Sequence, residues 1–134
     1  MMQSHVIVID DDSAAAASAC ALFAAFGYDV TSFDSAEAFL DSDAANSCDC
    51  LLLDLQLPGM SGRELQKKLI GQKLRLPIIL ISGYADSSLI MGAMNDGAVA
   101  VLEKPVNPQT LLDYVQRTCE HASRSHVESE NRAI

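Results

Sequence analysis

Cations are scarce in this chain. Nine Lys and Arg stand against 18 Asp and Glu, a formal net charge of -9 at pH 7, and no Lys/Arg cluster stands out against that field. An acidic surface of this kind repels phosphate backbones, so direct nucleic-acid binding by the chain is not expected. Long apolar runs are missing as well. No stretch approaches the roughly 20 residues that span a bilayer, and the opening Met-Met-Gln-Ser-His has neither a basic region nor a leader-like apolar core. No membrane association is expected, and the location expected is the cytoplasm. Histidine is sparse and dispersed, with His5 flanking a strand and His121 and His126 in a polar tail, which argues against a histidine metal site. Of the four cysteines, Cys20 and Cys119 fall in helical patterns and Cys48-x-Cys50 lacks the spacing of a metal knuckle. Reduced thiols packed as small apolar groups are the expectation. There is no internal repeat, and the alanine-rich Ala14 to Ala17 is simply good helix.

What is present is enough for one folded domain: 134 residues, 49% apolar and 20% charged. Strand-like runs of four to six residues alternate with helical patterns, which predicts repeated βα units and a parallel sheet covered on both faces. Strands are expected at about 5–9, 29–33, 49–53, from Pro77 into Ser82, and at 99–103. The first helix is expected over 13–26, with Ala15, Ser18, Ala19, Leu22, Phe23 and Phe26 on its inward stripe and Gly27 as its stop. Ser35 caps a second helix running to about 45. Ser61 caps a third in which Leu65 and Leu69 face inward, Arg63, Lys67 and Lys68 face water, and Gly71 lies near the end. A fourth covers about 86–96, and a fifth starts at about Pro108 and buries Leu111, Leu112, Val115 and Cys119. The domain so read covers residues 1–121, and 122–134 is a polar helical extension or a linker.

The strand ends carry the chemistry. Val6-Ile7-Val8-Ile9 runs into Asp10-Asp11-Asp12, Cys50-Leu51-Leu52-Leu53 into Asp54, Ile78-Ile79-Leu80-Ile81 into Ser82, and the fifth strand into Glu103-Lys104-Pro105. In an open parallel sheet, ligands bind outside the carboxyl ends of the strands. Asp10, Asp11, Asp54, Ser82 and Lys104 all map to that edge. Crowded carboxylates repel unless a cation intervenes, and an oxygen-only site suits a hard divalent ion, Mg²⁺ above all with Mn²⁺ as a possible substitute. A carboxylate beside such an ion can attack a phosphoryl group to give an aspartyl phosphate, with Lys104 as a point cation and Ser82 as a hydrogen-bond donor. Taken singly, each residue has an ordinary role. Asp12 and Ser13 read as turn or cap residues, Ser82-Gly83 as a turn, Lys104 as a solvated lysine, and Ser61-x-x-Glu64 as a capping box. Only the joint placement is specific.

That combination resembles the receiver domain of two-component response regulators over residues 5–121. Asp10-Asp11 matches the acidic pair, Asp54 with Leu55-x-x-Pro58-Gly59-Met60-Ser61-Gly62 the phosphoacceptor and its loop, Ser82-Gly83 the switch hydroxyl, and Glu103-Lys104-Pro105 the lysine motif. Ser35-Ala36-Glu37-Ala38-Phe39-Leu40 and Met60-Ser61-Gly62-Arg63-Glu64-Leu65 are similar to receivers that carry a C-terminal helix-turn-helix output domain. The resemblance implies a doubly wound, flavodoxin-like sheet of five parallel strands in the order 2-1-3-4-5 with five helices. It implies transfer to Asp54 from a sensor histidine kinase or phosphotransfer protein, with Mg²⁺ on Asp11, Asp54 and the Gln56 carbonyl and Asp10 acting through water. It further implies a cis bond before Pro105. The surface of the fourth helix, fifth strand and fifth helix would then be remodelled and serve as a homodimer or output face.

One position departs from the family pattern: three residues before Lys104, where an aromatic ring is common, stands Val101. A softer switch, or one that acts through backbone and helix shifts with Met91, Met94 and Val99 at the partner surface, is the expectation. Two other readings stay open. Asp10-x-Asp12 resembles the nucleophile motif of aspartate-dependent phosphohydrolases, and Val101 is compatible with a receiver that no longer responds to phosphorylation.

Overall fold

The computed structural model describes the backbone of residues 3–132 and the side-chain surroundings of residues 3–120. In chain order the elements are β1 (His5–Ile9), α1 (Ser13–Ala25), β2 (Asp29–Phe33), α2 (Ala36–Leu40), a 3-10 turn (Ala44–Ser47), β3 (Cys50–Asp54), α3 (Gly62–Gly71), β4 (Ile78–Ser82), α4 (Ser87–Asn95), β5 (Ala100–Glu103) and α5 (Pro108–Arg132). The strands pair in the order β2-β1-β3-β4-β5, all parallel. This is the doubly wound flavodoxin-like arrangement expected from the sequence.

Strand alternation divides the core in two. Ile7, Ile9, Leu51, Leu53 and Leu80 point to one face and pack against Phe39, Leu65, Leu69 and Ala93, while Val6, Val8, Cys50, Leu52 and Ile79 meet Phe23, Leu112, Val115 and Cys119 on the other. Each fully buried Leu, Ile or Phe contributes roughly 1.5–3 kcal/mol by leaving water. That is why runs with no polar member are strands here. The register Ile9↔Leu53 and Leu53↔Leu80 brings the ends of β1, β3 and β4 level.

Three details differ from the expectation. The second helix stops at Leu40: the Ser42 hydroxyl donates to the Phe39 carbonyl and accepts from the Ala44 N–H, so a local side-chain bond displaces the next helical turn. The third strand begins at Cys50 and takes in Asp54, because pairing with Ile81 extends the ladder to the carboxylate. In α1 the buried stripe is Ala16 and Phe23; Phe26 has left helical geometry at the C-cap and is 56% exposed, and Ser18 faces out. The backbone of α5 runs without a break past residue 121 to Arg132, and the last two residues of the expected extension or linker lie outside the described residues.

All four cysteines are free. Burial pushes the Cys48 thiol up to about 12 and that of Cys119 to about 11, so both are protonated, apolar packing groups. The Lys104–Pro105 peptide bond is cis, as the resemblance implies. Among the described residues no helix is long and apolar enough to cross a membrane.

Candidate functional site

Asp54 closes β3 with its residue only 5% exposed. An ionised carboxylate this deep needs partners. It has two: Oδ1 accepts the Gln56 N–H at 3.0 Å and Oδ2 accepts from Lys104 Nζ at 3.0 Å. Lys104 is delivered by the end of β5, where its own N–H donates to the Ser82 carbonyl at 2.8 Å. Burial pulls the Lys104 ammonium down, but the bond to Asp54 and the charges of Asp54, Asp10 and Asp12 outweigh it and hold the pKa above the usual lysine value.

Asp10 and Asp11 follow β1, whose exit is fixed by the Asp10 N–H donating to the Phe33 carbonyl at 3.1 Å. Asp10, Asp11 and Asp54 each offer a carboxylate oxygen, and these oxygens lie within 4.8 Å of one another. Burial raises the Asp10 pKa first of all and the Asp54 charge adds to it, against the lowering effects of the Asp12 N–H and of Lys104. The donor set fits a hard divalent cation: three oxygens, no nitrogen or sulfur, and mutual repulsion that a metal would relieve. Asp12 is not part of it. Its Oδ1 accepts from Ala14 N at 3.0 Å and Ala15 N at 3.2 Å and caps α1.

Ser82 is also at this edge and 1% exposed, but its hydroxyl donates to the Tyr84 carbonyl and accepts the Tyr84 N–H at 3.1 Å. The structure therefore joins Asp10, Asp11, Asp54 and Lys104 directly, while the Ser82 hydroxyl is engaged with its own turn. For Gln56, the contact seen is its N–H on Asp54.

One contact that sequence reading missed, from Glu37, and one close approach, at Gly62, shape the loop after Asp54. Glu37, from α2, accepts the Met60 N–H at 3.1 Å, and a Cβ on Gly59, which sits at φ +76, would meet its Oε2 at 2.4 Å. Gly62 lies so close under β3 that a Cβ would stand 2.7 Å from the Asp54 carbonyl oxygen. Glu37 and Met60 are 23 positions apart, and no local pattern links them. On the other side, small α1 residues such as Ala15 and Ala19 leave an apolar groove of about 840 Å³ against Leu52, Ile81, Val106 and Leu111, running up to Asp10, Asp54 and Lys104.

Residues 6–116 match the family model of the response regulator receiver domain. The chain belongs to that family. This receiver is 37% identical to the transcriptional regulatory protein FixJ of Bradyrhizobium diazoefficiens over 98% of its length and 65% of that protein's. It is 39% identical to nodulation protein W of the same organism, over 82% of its own length and 48% of the relative's. The receiver thus spans from about half to just under two thirds of the length of these curated relatives. Among solved structures it superposes on the response regulator StyR with a TM-score of 0.88 at 32% identity, covering 98% of this chain and 67% of that one. The FixJ N-terminal domain gives a TM-score of 0.78 at 33% identity, covering 90% and 97%.

Proposed function

We propose that Asp54 of this receiver accepts a phosphoryl group from the phosphohistidine of a sensor kinase or phosphotransfer protein and thereby controls a regulatory output. The observation that carries the reading is the buried Asp54 carboxylate held at 3.0 Å by Lys104, beside the Asp10–Asp11 pair. In the transfer, an Asp54 oxygen attacks phosphorus as the bond to the donor nitrogen breaks, and the imidazole leaves with that electron pair. The Lys104 ammonium follows the charge that moves onto the phosphoryl oxygens. Asp10, Asp11, Asp54 and the Gln56 carbonyl would hold Mg²⁺, or Mn²⁺ in its place; bound there, the ion supplies positive charge that offsets the incoming oxygens. The apolar groove beside α1 leaves the donor an open approach to Asp54.

After transfer, the Ser82 hydroxyl exchanges its Tyr84 partners for the phosphoryl oxygens. The population then shifts to a state in which α4, β5 and α5 present an altered face. Met91 at 65% exposure, Met94 at 44% and Val99 at 40% already make that face apolar enough for a homodimer or an output domain. A cytoplasmic role in transcription control follows if a DNA-binding domain is attached to this receiver. The domain has no separate substrate to turn over. Asp12 supports this over the phosphohydrolase reading, since its carboxylate is occupied as a helix cap.

Incubation with a small phosphodonor and Mg²⁺ tests the reading. Acid-stable mass addition at Asp54 is expected, absent in Asp54→Ala; full labelling of that variant would overturn the assignment.

A further inference from the structure

Against the acidity of the whole chain, cations do collect in one place. Contrary to the sequence reading that no Lys/Arg cluster stands out, five of the nine, Arg63, Lys67, Lys68, Lys73 and Arg75, fall within 13 residues that hold a single acid, Glu64. The fold places this segment along α3 and the turn into β4. Lys67 and Lys68 alone would be a solvated helix face. Lys73 and Arg75, however, line a groove of about 790 Å³ whose floor is Leu69, Leu74, Leu76 and Pro77, with Ile70 beside them 48% exposed. The acid at its wall, Asp96, is neutralised by Arg63 at 2.9 Å. The ion pairs of the described residues are this one and Lys104–Asp54, so Lys67, Lys68, Lys73 and Arg75 face solvent without carboxylate partners. The groove is apolar below, and Lys73 and Arg75 are the charged groups of its lining that have no ion-pair partner among the described residues.

A second, independent observation comes from the backbone. The Lys73 N–H donates to the Ile70 carbonyl and the Leu74 N–H to the Leu69 carbonyl, both at 2.9 Å, which is the Schellman termination of a helix. That motif puts its C′ residue in the left-handed region, where glycine is favoured, yet the residue here is Lys73 at φ 61. The chain keeps a cation where stability alone asks for glycine. Strain held at one exposed position points to a use for its side chain.

We propose that this groove between α3 and the start of β4 docks an acidic amphipathic segment of a partner protein. Apolar side chains of the segment would cover Ile70, Leu74 and Leu76, and flanking carboxylates would meet Lys73, Arg75 and Lys67. A phosphate backbone has charge but nothing apolar for the floor, so the chemistry favours peptide over nucleic acid. The groove opens at the amino end of β4, about 16 Å of strand away from the Asp54 edge. The segment therefore binds without covering the phosphoacceptor.

A labelled helical probe peptide, with Leu at i, i+3, i+4 and i+7 and Glu on both flanks, tests this by fluorescence anisotropy against the full chain. Binding that weakens about tenfold when the Glu residues become Gln, and about tenfold in Lys73→Gly/Arg75→Gln, is expected, with steep loss in high salt. Lys73→Gly separates use from structure: its thermal midpoint should be unchanged or raised while binding falls. Asp54→Asn, which cannot be labelled, should bind the peptide as well as the parent. Equal binding of the Gln peptide, an unaffected double variant, or tighter competition by duplex DNA would overturn the proposal. Sedimentation revealing a self-association lost in the double variant would assign the groove to a second copy and overturn it equally.

Discussion

The site concentrates its energy in a few side chains, and Lys104 is the first of them. Among the described residues it is the sole ammonium touching the Asp54 carboxylate, at 3.0 Å. Lys104→Met keeps the stem and deletes the charge. Labelling by a small phosphodonor should slow by about a hundredfold, the loss typical of one electrostatic donor in a reaction site, and a quench-and-count time course measures it. Asp10 gives a pH signature in metal-free buffer. Its folded pKa is raised above the ordinary 3.8, burial leading, so folding favours its neutral form. The associated stability is complete below the unfolded pKa and is lost as pH rises through the folded one. Asp10→Asn should therefore unfold at a higher temperature than the parent at pH 7, with the gap closing as pH falls towards 3.8. A gap that widens in acid would contradict the raised pKa.

At the scale of elements, α3 shows how one local sequence serves both helix and site. Ser61 and Glu64 form a reciprocal capping box, and Gly62 sits at the first turn beneath β3. The two ends of the helix predict opposite results for the same substitution. Gly62→Ala drives a methyl against the Asp54 carbonyl and the Leu55 backbone and should destabilise by about 1–3 kcal/mol in urea titration. Gly71→Ala meets nothing within 4 Å and should stabilise by about 0.4–1 kcal/mol. Elements of this kind were legible in the sequence because their signals are local: apolar runs for β1, β3 and β4, caps at Ser35 and Ser61, stops at Gly27 and Gly97. The early end of α2 was not, since it turns on one hydroxyl, that of Ser42, outcompeting helix bonds. Phe26 misled for a related reason: its spacing fits the α1 stripe, but the helix has ended before it. The acid trio and Lys104 could be read because parallel topology sends every strand end to one edge. The Glu37–Met60 contact and the engagement of the Ser82 hydroxyl with Tyr84 could not, as both depend on side-chain rotamers rather than on pattern.

For the molecule as a whole, the question is how one modified carboxylate reaches a distant face. Val101 packs against the cluster that includes Ala93 of α4, and it offers no ring to rotate, so the shift must be carried by backbone and helix displacement. With beryllofluoride and Mg²⁺ as a phosphoryl mimic, sedimentation should move from monomer to dimer. In Met91→Glu/Met94→Glu, which charges the exposed ridge of α4, the dimer should be lost while Asp54 still labels at the parental rate. No change in the parent protein would favour a receiver indifferent to phosphorylation.

The Lys104–Asp54 pair joins positions 50 residues apart, and the lysine arrives on the last strand of the sheet. A ribosome-bound or proteolysed fragment that lacks β5 has the carboxylate but no counter-cation for it. If Asp54 is the phosphoacceptor proposed above, chemical competence and completed folding coincide, and a half-made receiver would stay deaf to its donor.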